Sequence, residues 1–461
     1  MFPAEVYSIR RRELKKRVKS GVIIFTGNNE MPMNYPDNTY HFRQDSTFLY
    51  YFGLDFPGLT ATIDLEEDEE IVFGYDFTMA DIIWMGPQQT LKEKALKAGV
   101  TITKPSGEFD NYILRALQKG RAVHYLPQYR MDNKILLADA LNMKINKIDE
   151  NVSEELMKAV IDQRSVKEDI EIEEIEKAID TTYKMHTYAM KHTRPGMVES
   201  EIAGMVEGIS FAYGAGVSFP IILSVHGETL HNHRHSNIME TGRLVVHDSG
   251  AESQLHYAGD ITRTFPVSGK FNQQQKEIYE IVLNTQLTAI KEIKPGIPFK
   301  QIHLSAAQTI AQGLKDIGIM KGDIEDAVNN GAHALFFPHG LGHMMGLDVH
   351  DMEGLNENLV GYDDTVERSG QFGLAYLRLA KSLKPRYVVT VEPGIYFIPQ
   401  LIAQWQAQGK HSNFINYDKL NDYLNFGGVR IEDDILVTDN GYRVLGKAIP
   451  KTISEIEGLM R

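Results

Sequence analysis

The sequence predicts a mixed α/β (α+β) chain of two domains, an N-terminal α/β domain over 1–164 and a larger pseudo-symmetric α/β domain over 165–461. Three observations predict it. Short apolar runs alternate with helical patterns over 21–160, and a helix-start signal falls directly after Arg164. Beyond that point a helix–Pro-Gly–helix pattern occurs twice, at Arg194-Pro195-Gly196-Met197 and, displaced by 100 residues, at Lys294-Pro295-Gly296-Ile297. At roughly 150 residues per domain, the length alone allows two or three.

Taken in order, Met1 to Lys19 is basic and helical in pattern, with no apolar stretch behind it, so no secretory leader is expected. Gly21-Val22-Ile23-Ile24-Phe25 reads as a buried strand. Ala61 to Leu65 and Ile71 to Phe73 read as a hairpin across the acidic run Glu66-Glu67-Asp68-Glu69-Glu70, which reads as a solvated turn. This first domain shows no chemistry of its own. Ser165-Val166-Lys167-Glu168 has the spacing of a capping box, with Ser165 at the N-cap and Glu168 returning the hydrogen bond. Ile172, Ile175 and Ile179 follow at helical spacing, so a long helix is expected to about Lys191. Each Pro-Gly of the repeat ends one helix shortly before the next begins. Two copies imply two facing halves; a solenoid would need more.

Composition narrows the function classes. The formal net charge is −14, from 48 basic and 62 acidic residues. Nucleic-acid affinity comes mainly from Lys and Arg against phosphate, so nucleic acid is not an expected partner. No apolar run reaches transmembrane length, and no membrane partner is expected. The absence of cysteine excludes disulfides and thiolate metal sites and fits a reducing compartment; the expectation is a soluble, cytoplasmic protein.

The chemistry concentrates in the second domain. Asp248, Asp260, His343, Glu392 and Glu432 each lie in a short distinctive segment, for example Gly259-Asp260-Ile261-Thr262-Arg263-Thr264 and Glu392-Pro393-Gly394-Ile395-Tyr396. Four carboxylates and one imidazole suit a pair of divalent cations, and an oxygen-rich set favours harder ions such as manganese or magnesium. Arg243 to Val246 leads to Asp248, and Arg386 to Val389 leads to Glu392. Each half thus offers a strand ending in one carboxylate and then a second, Asp260 or Glu432. Facing halves would bring the four to one centre.

Arg430 and Glu432 are two apart, so on a strand they share a face, with Asp433 turned away and Asp434 returning. A guanidinium there suits fixing a ligating carboxylate, or, for Arg430 taken alone, a surface salt bridge. His339 and His343 are four apart, but Pro338, Gly340 and Gly342 argue for an irregular segment, so one of the two is expected to bind metal. His231, His233 and His235 alternate, which suits either a metal cluster or, for His233 and His235, a polar strand end. His350, alone in its segment, reads by itself as structural.

At this level of detail residues 165–461 resemble the pita-bread metallopeptidases, a superfamily that includes methionine aminopeptidase, prolidase and aminopeptidase P. All five ligand segments occur in order. Gly259 to Phe271, His339-Gly340-Leu341-Gly342-His343 and Leu347-Asp348-Val349-His350-Asp351 are closest to the aminopeptidase P branch. Phe42-Arg43-Gln44-Asp45-Ser46-Thr47-Phe48 resembles a signature of that branch's first domain, the creatinase/prolidase-like domain. The resemblance implies an Xaa-Pro aminopeptidase, in which activated water attacks the bond before a proline at the second position of a peptide. It implies Asp260 and Glu432 bridging two metals, Asp248 chelating one, and His343 with Glu392 completing the other. The metals would be Mn2+, with Zn2+ or Co2+ as alternatives. His231, His339, His350 and Arg430 would act on the catalytic side, with His350 meeting the reacting carbonyl. Tyr396 would meet substrate, as would Asp37 and Trp84 of the first domain. Assembly through that domain would give a homodimer or homotetramer.

Two departures stand out. The step from Asp248 to Asp260 is one residue longer than the family pattern. The extra residue is expected in a turn near Ser253-Gln254-Leu255, because within a strand it would flip a ligand to the wrong face. The stretches 352–386 and 398–427 are also long, and both are expected to border the active-site mouth. Prolidase, which takes Xaa-Pro dipeptides, is the alternative activity, and a metal-free binding module is the alternative class.

Overall fold

Val22–Thr26 carries apolar or β-branched residues at every position, and all five are buried in strand β1. The computed structural model describes residues 1–461 and divides into two units. Met1–Arg164 with Gly354–Asn356 form one, and Ser165–Glu353 with Glu357–Arg461 form the other.

In the first unit, β1 pairs antiparallel with β2 (Thr60–Asp64), which turns into β3 (Glu69–Gly74). β4 (Ile102–Pro105) and β5 (Val123–His124) add in parallel at either edge, giving the order β4-β3-β2-β1-β5. Val22, Ile24, Ile71 and Phe73 pack with Phe109, Ile113 and Leu137 into one core. The hairpin is the expected one, but its acidic turn is more than a solvated loop. The basic N-terminal helix Ala4–Lys15 is tied to it: Lys15 meets Asp68 at 2.9 Å, and the buried Arg11 donates to Glu70 at 2.7 Å as well as to the carbonyls of Tyr51 and Ala98. A buried guanidinium needs both a counter-charge and acceptors, and Glu70, at the end of the acidic run where β3 begins, supplies the charge. The Phe42 to Phe48 segment is likewise structural. Gln44 is fully buried; its side-chain oxygen accepts from the Asn28 and Asp45 N–H groups, while Asp45 caps the helix Ser46–Phe52 through Phe48 N.

The expected cap of the long helix is displaced. Ser165 ends the preceding helix, Glu154–Ser165, with its hydroxyl buried and unbonded. The long helix runs Asp169–His192, with Glu168 at its N-cap and Glu171 accepting from the Glu168 N–H at 2.9 Å. The reason lies in Lys167. Its N–H donates to Arg386 O and its ammonium to the buried Asp351, which holds residues 166–168 out of the helix.

The repeat appears as two helical hairpins, Asp169–His192 with Glu199–Tyr213 and Gln273–Glu292 with Phe299–Asp316. Gly196 and Gly296 take matching left-handed conformations at φ 92° and 85°, which only glycine adopts at little cost. Their N–H groups donate to Met239 O and Leu383 O, both at 2.8 Å. Each half also carries a three-stranded sheet. The first holds β6 (Ile222–Ser224), β7 (Leu244–Ser249) and β8 (Ile261–Pro266) in that order. The second holds β9 (Val388–Val391), β12 (Asp433–Val437) and β13 (Tyr442–Val444), ordered β13-β12-β9. Between them in sequence, β10 (Gly394–Tyr396) pairs with β11 (Gly428–Arg430). No helix of the chain is long and apolar enough to cross a membrane.

Candidate metal centre

The β7–β8 ladder is symmetric about position 255 from Leu244↔Pro266 through Glu252↔Ala258, with no break in register. The longer step between Asp248 and Asp260 is therefore absorbed at the tip, Ser253 to Tyr257, where His256 takes a left-handed conformation. Asp248 lies opposite Thr262, and Asp260, two residues before Thr262, shares its face. In the other half the β9–β12 ladder ends at Asp433↔Val391. Glu392 and Glu432 follow directly on the two strands and leave the ladder side by side.

His343 is placed by glycine. A side chain on Gly342 would sit 2.0 Å from the Thr390 carbonyl, and only its absence lets the segment lie against β9. His343 N then donates to Thr390 Oγ1, and Thr390 N to His343 O. The segment is irregular, as its glycines imply. His343 Nδ1–H donates to Met344 O at 3.0 Å, which leaves Nε2 facing Asp260 at 3.4 Å and Glu392 at 3.8 Å. Ligand-type atoms of Asp260, His343 and Glu432, all buried, lie within 4.8 Å of one another. His339 instead bonds Tyr396 Oη at 2.9 Å.

Arg430 holds the cluster from one side. It donates to Asp248 Oδ2 at 2.7 Å, Tyr396 Oη at 2.8 Å and Thr262 Oγ1 at 3.1 Å; the same Thr262 hydroxyl donates to Glu432 Oε2 at 2.8 Å. Asp434 accepts from Asp260 N at 3.0 Å, whereas Asp433 points the other way, to Arg263 and Lys451. That is the face alternation expected of this strand.

The electrostatics show what the cluster is suited to hold. Burial and the neighbouring Asp248 charge raise Asp260 to about 6. Burial raises Glu392 to about 7, and burial with the other carboxylates lifts Glu432 well above the usual range. Burial alone would lower His343, but Asp260 and Glu392 outweigh it and raise the ring to about 9. Asp248 Oδ1 and Asp260 Oδ1 are buried without a hydrogen-bond partner. Buried carboxylate oxygens are normally satisfied. Orphaned oxygens, crowded carboxylates and an imidazole turned toward them fit divalent cations.

The cluster opens onto a cavity of about 460 Å³. His231, His339 and His350 line it with Arg430 and the five ligand-type residues; Tyr396 stands behind His339 and Arg430. Burial and Arg430 lower His231. Burial and Arg430 lower His339 to about 3, and burial pushes Tyr396 up to about 12. His233 also lines the cavity, from an irregular segment and not the strand end expected for it; nothing in its alternating pattern distinguishes it from His235, which bonds Ile221 O. The 352–386 stretch contributes Tyr376 and Arg378, as expected of a mouth segment. The 398–427 stretch contributes no lining residue, contrary to expectation; its buried Trp405 packs on Phe372. Asp37 and Trp84 belong to the first unit, Asp37 in an exposed turn and Trp84 at 86% exposure on the helix Met79–Met85.

The chain is similar to known proteins over nearly its whole length. Residues 173–439 match metallopeptidase family M24, and residues 7–124 match the aminopeptidase P N-terminal domain. Xaa-Pro dipeptidase of Homo sapiens is 30% identical, over 99% of this chain and 94% of its own length. A probable Xaa-Pro aminopeptidase of Aspergillus clavatus is 32% identical, over 99% and 97%. Among solved structures, a variant of Escherichia coli aminopeptidase P in complex with substrate superposes with a TM-score of 0.81 at 28% identity, covering 100% of this chain and 98% of that one. A zinc-substituted form of that enzyme in complex with product superposes equally well.

Proposed function

The chain belongs to metallopeptidase family M24, and from that premise we propose that it is a dinuclear Xaa-Pro aminopeptidase, releasing the N-terminal residue of peptides whose second residue is proline. The observation that carries the proposal is the convergence of Asp248, Asp260, His343, Glu392 and Glu432 on one cavity with two orphaned carboxylate oxygens. These five would hold the metals, with Asp260 and Glu432 shared between them. Two divalent ions acidify water and stabilise charge developing on the peptide carbonyl oxygen. The oxygen-rich set favours Mn2+ over Zn2+ or Co2+.

The chain's own residues do the rest. Arg430 orients Asp248 and, through Thr262, Glu432. Tyr396 Oη accepts from Arg430 and fixes the His339 ring on the cavity wall. His350 meets the reacting carbonyl, while His231 and His339 orient the peptide or move protons. Asp37 and Trp84 are substrate-side residues of an assembled dimer or tetramer, with 1–164 as the assembly domain and 165–461 as the catalytic one.

The dipeptidase reading is favoured by a specific observation, the human relative named Xaa-Pro dipeptidase. Hydrolysis of matched Xaa-Pro and Xaa-Pro-Xaa peptides separates the two. Cleavage of both is expected, and cleavage of dipeptides alone would replace the aminopeptidase with a prolidase.

A further inference from the structure

We propose that Glu353 is a positioning residue of this site, fixing the ring of His350 so that Nε2 is the nitrogen presented to substrate. The proposal rests on the reading of His350 given above. Glu353 Oε2 lies 3.1 Å from His350 Nδ1 and 2.5 Å from Arg378 Nη1. His350 and Arg378 both line the cavity; Glu353 stands behind them. A carboxylate accepts and does not donate, so Nδ1 carries the hydrogen in this contact. Nε2 is then the ring nitrogen left for the cavity.

Glu353 is itself braced. Arg378 Nη1 also donates to Glu357 at 3.2 Å, and Glu357 pairs with Arg368. Arg368 in turn donates to the carbonyls of Ala375 and Leu377, on the chain that leads back to Arg378. The carboxylate is therefore held by a closed network of charged groups and backbone. On its flat face the His350 ring stacks on His343, with centroids 3.9 Å apart and planes 16° from parallel. Stacking fixes the plane of the ring but not which edge faces the cavity. A half-turn about the Cβ–Cγ bond keeps the stack and exchanges nitrogen for carbon at both edges. The Glu353 contact selects one of the two orientations, and with it the atom that meets substrate. No other polar contact of the His350 side chain competes for that role.

The test combines kinetics with a signature that does not need turnover. Glu353→Ala should lower kcat roughly ten- to a hundredfold, the range for removing the partner of a site histidine, with KM changing much less. Glu353→Gln keeps an acceptor oxygen and the side chain's shape, so it should recover most of that loss; it also guards against a folding defect. On a His350→Ala background, Glu353→Ala should cost nothing further, because its effect passes through the missing ring. In protein labelled with 15N-histidine, the His350 signals should report a protonated Nδ1 in the wild type and lose that state in Glu353→Ala. Glu353→Ala turnover within twofold of wild type, or a loss that multiplies in full with His350→Ala, overturns the proposal. Unchanged His350 signals overturn it as well, even in an enzyme that cleaves no Xaa-Pro peptide, which would instead refute the proposed activity.

Discussion

Thr262→Val removes one hydroxyl and leaves the shape of the side chain nearly intact. In the fold that hydroxyl is fully buried and bonded twice, donating to Glu432 Oε2 at 2.8 Å and accepting from Arg430 Nε at 3.1 Å. A hydrogen bond to a charged group is worth roughly 1.5–3 kcal/mol. Arg430 keeps its bonds to Asp248 and Tyr396, so its loss falls at the low end of that range. Glu432 loses its one side-chain donor, but bound cations would still hold it. The two losses together come to about 3 kcal/mol, which at about 1.4 kcal/mol per factor of ten is close to a hundredfold. Metal affinity should therefore weaken roughly ten- to a hundredfold, and saturating metal should restore most of the turnover. The assay titrates metal-stripped protein with Mn2+, following heat by calorimetry and hydrolysis of an Xaa-Pro-Xaa peptide in parallel. If affinity and turnover both stay within twofold of wild type, Thr262 does not organise Glu432 and Arg430, and the reasoning fails.

Glu432→Ala should abolish peptide hydrolysis at any metal concentration by removing a carboxylate that, on the proposed reading, would serve both cations; turnover near the wild-type rate in a peptide assay would refute the site. Chelation should destabilise the protein, because the four crowded carboxylates then face only Arg430 and His343 and must in part stay protonated. Added Mn2+ at about a hundred times its dissociation constant should return about 2.7 kcal/mol, visible as a rise in melting temperature, and an unchanged melting point would contradict the site. Asp433 gives a pH signature distinct from the metals. Burial alone would raise it, but Arg263 and Lys451 prevail and lower it to about 2, below the ordinary aspartate value of about 3.9. A depressed carboxylate contributes stability that is present above the unfolded value and lost as pH falls through the folded one. Stability on the order of 2–3 kcal/mol should thus disappear between roughly pH 4 and pH 2, and acid unfolding of Asp433→Asn should lack that portion of the pH dependence.

The clustering of the five ligand-type residues was legible because it is carried by residue type and by parity. Asp248 and Glu392 sit at the ends of β7 and β9, whose apolar approach is visible in sequence, Asp260 and Glu432 stand directly before β8 and β12, and Arg430 shares a face with Glu432 by simple alternation. The Pro195-Gly196 and Pro295-Gly296 pair was legible for a similar local reason, since its glycines need left-handed backbone. Long-range competition was not legible. Ser165-Val166-Lys167-Glu168 satisfies the local rule for a helix cap, but Lys167 is taken by Asp351, 184 residues away, and the helix starts later. His233 reads like His235 until the loop is folded. Glu353 carries no motif at all; its place behind His350 depends on Arg378, 25 residues on.

The four ligand-type carboxylates come from the two half-sheets, and on the proposed reading this sets an order of events when the chain is made. Asp248 and Asp260 leave the ribosome long before Glu392 and Glu432, and a nascent chain that ends between them has only half of a coordination sphere. Such a fragment has little means of retaining a metal ion. On the proposed reading, loading would wait until the β9–β12 ladder has closed, so bound metals would mark a finished catalytic domain.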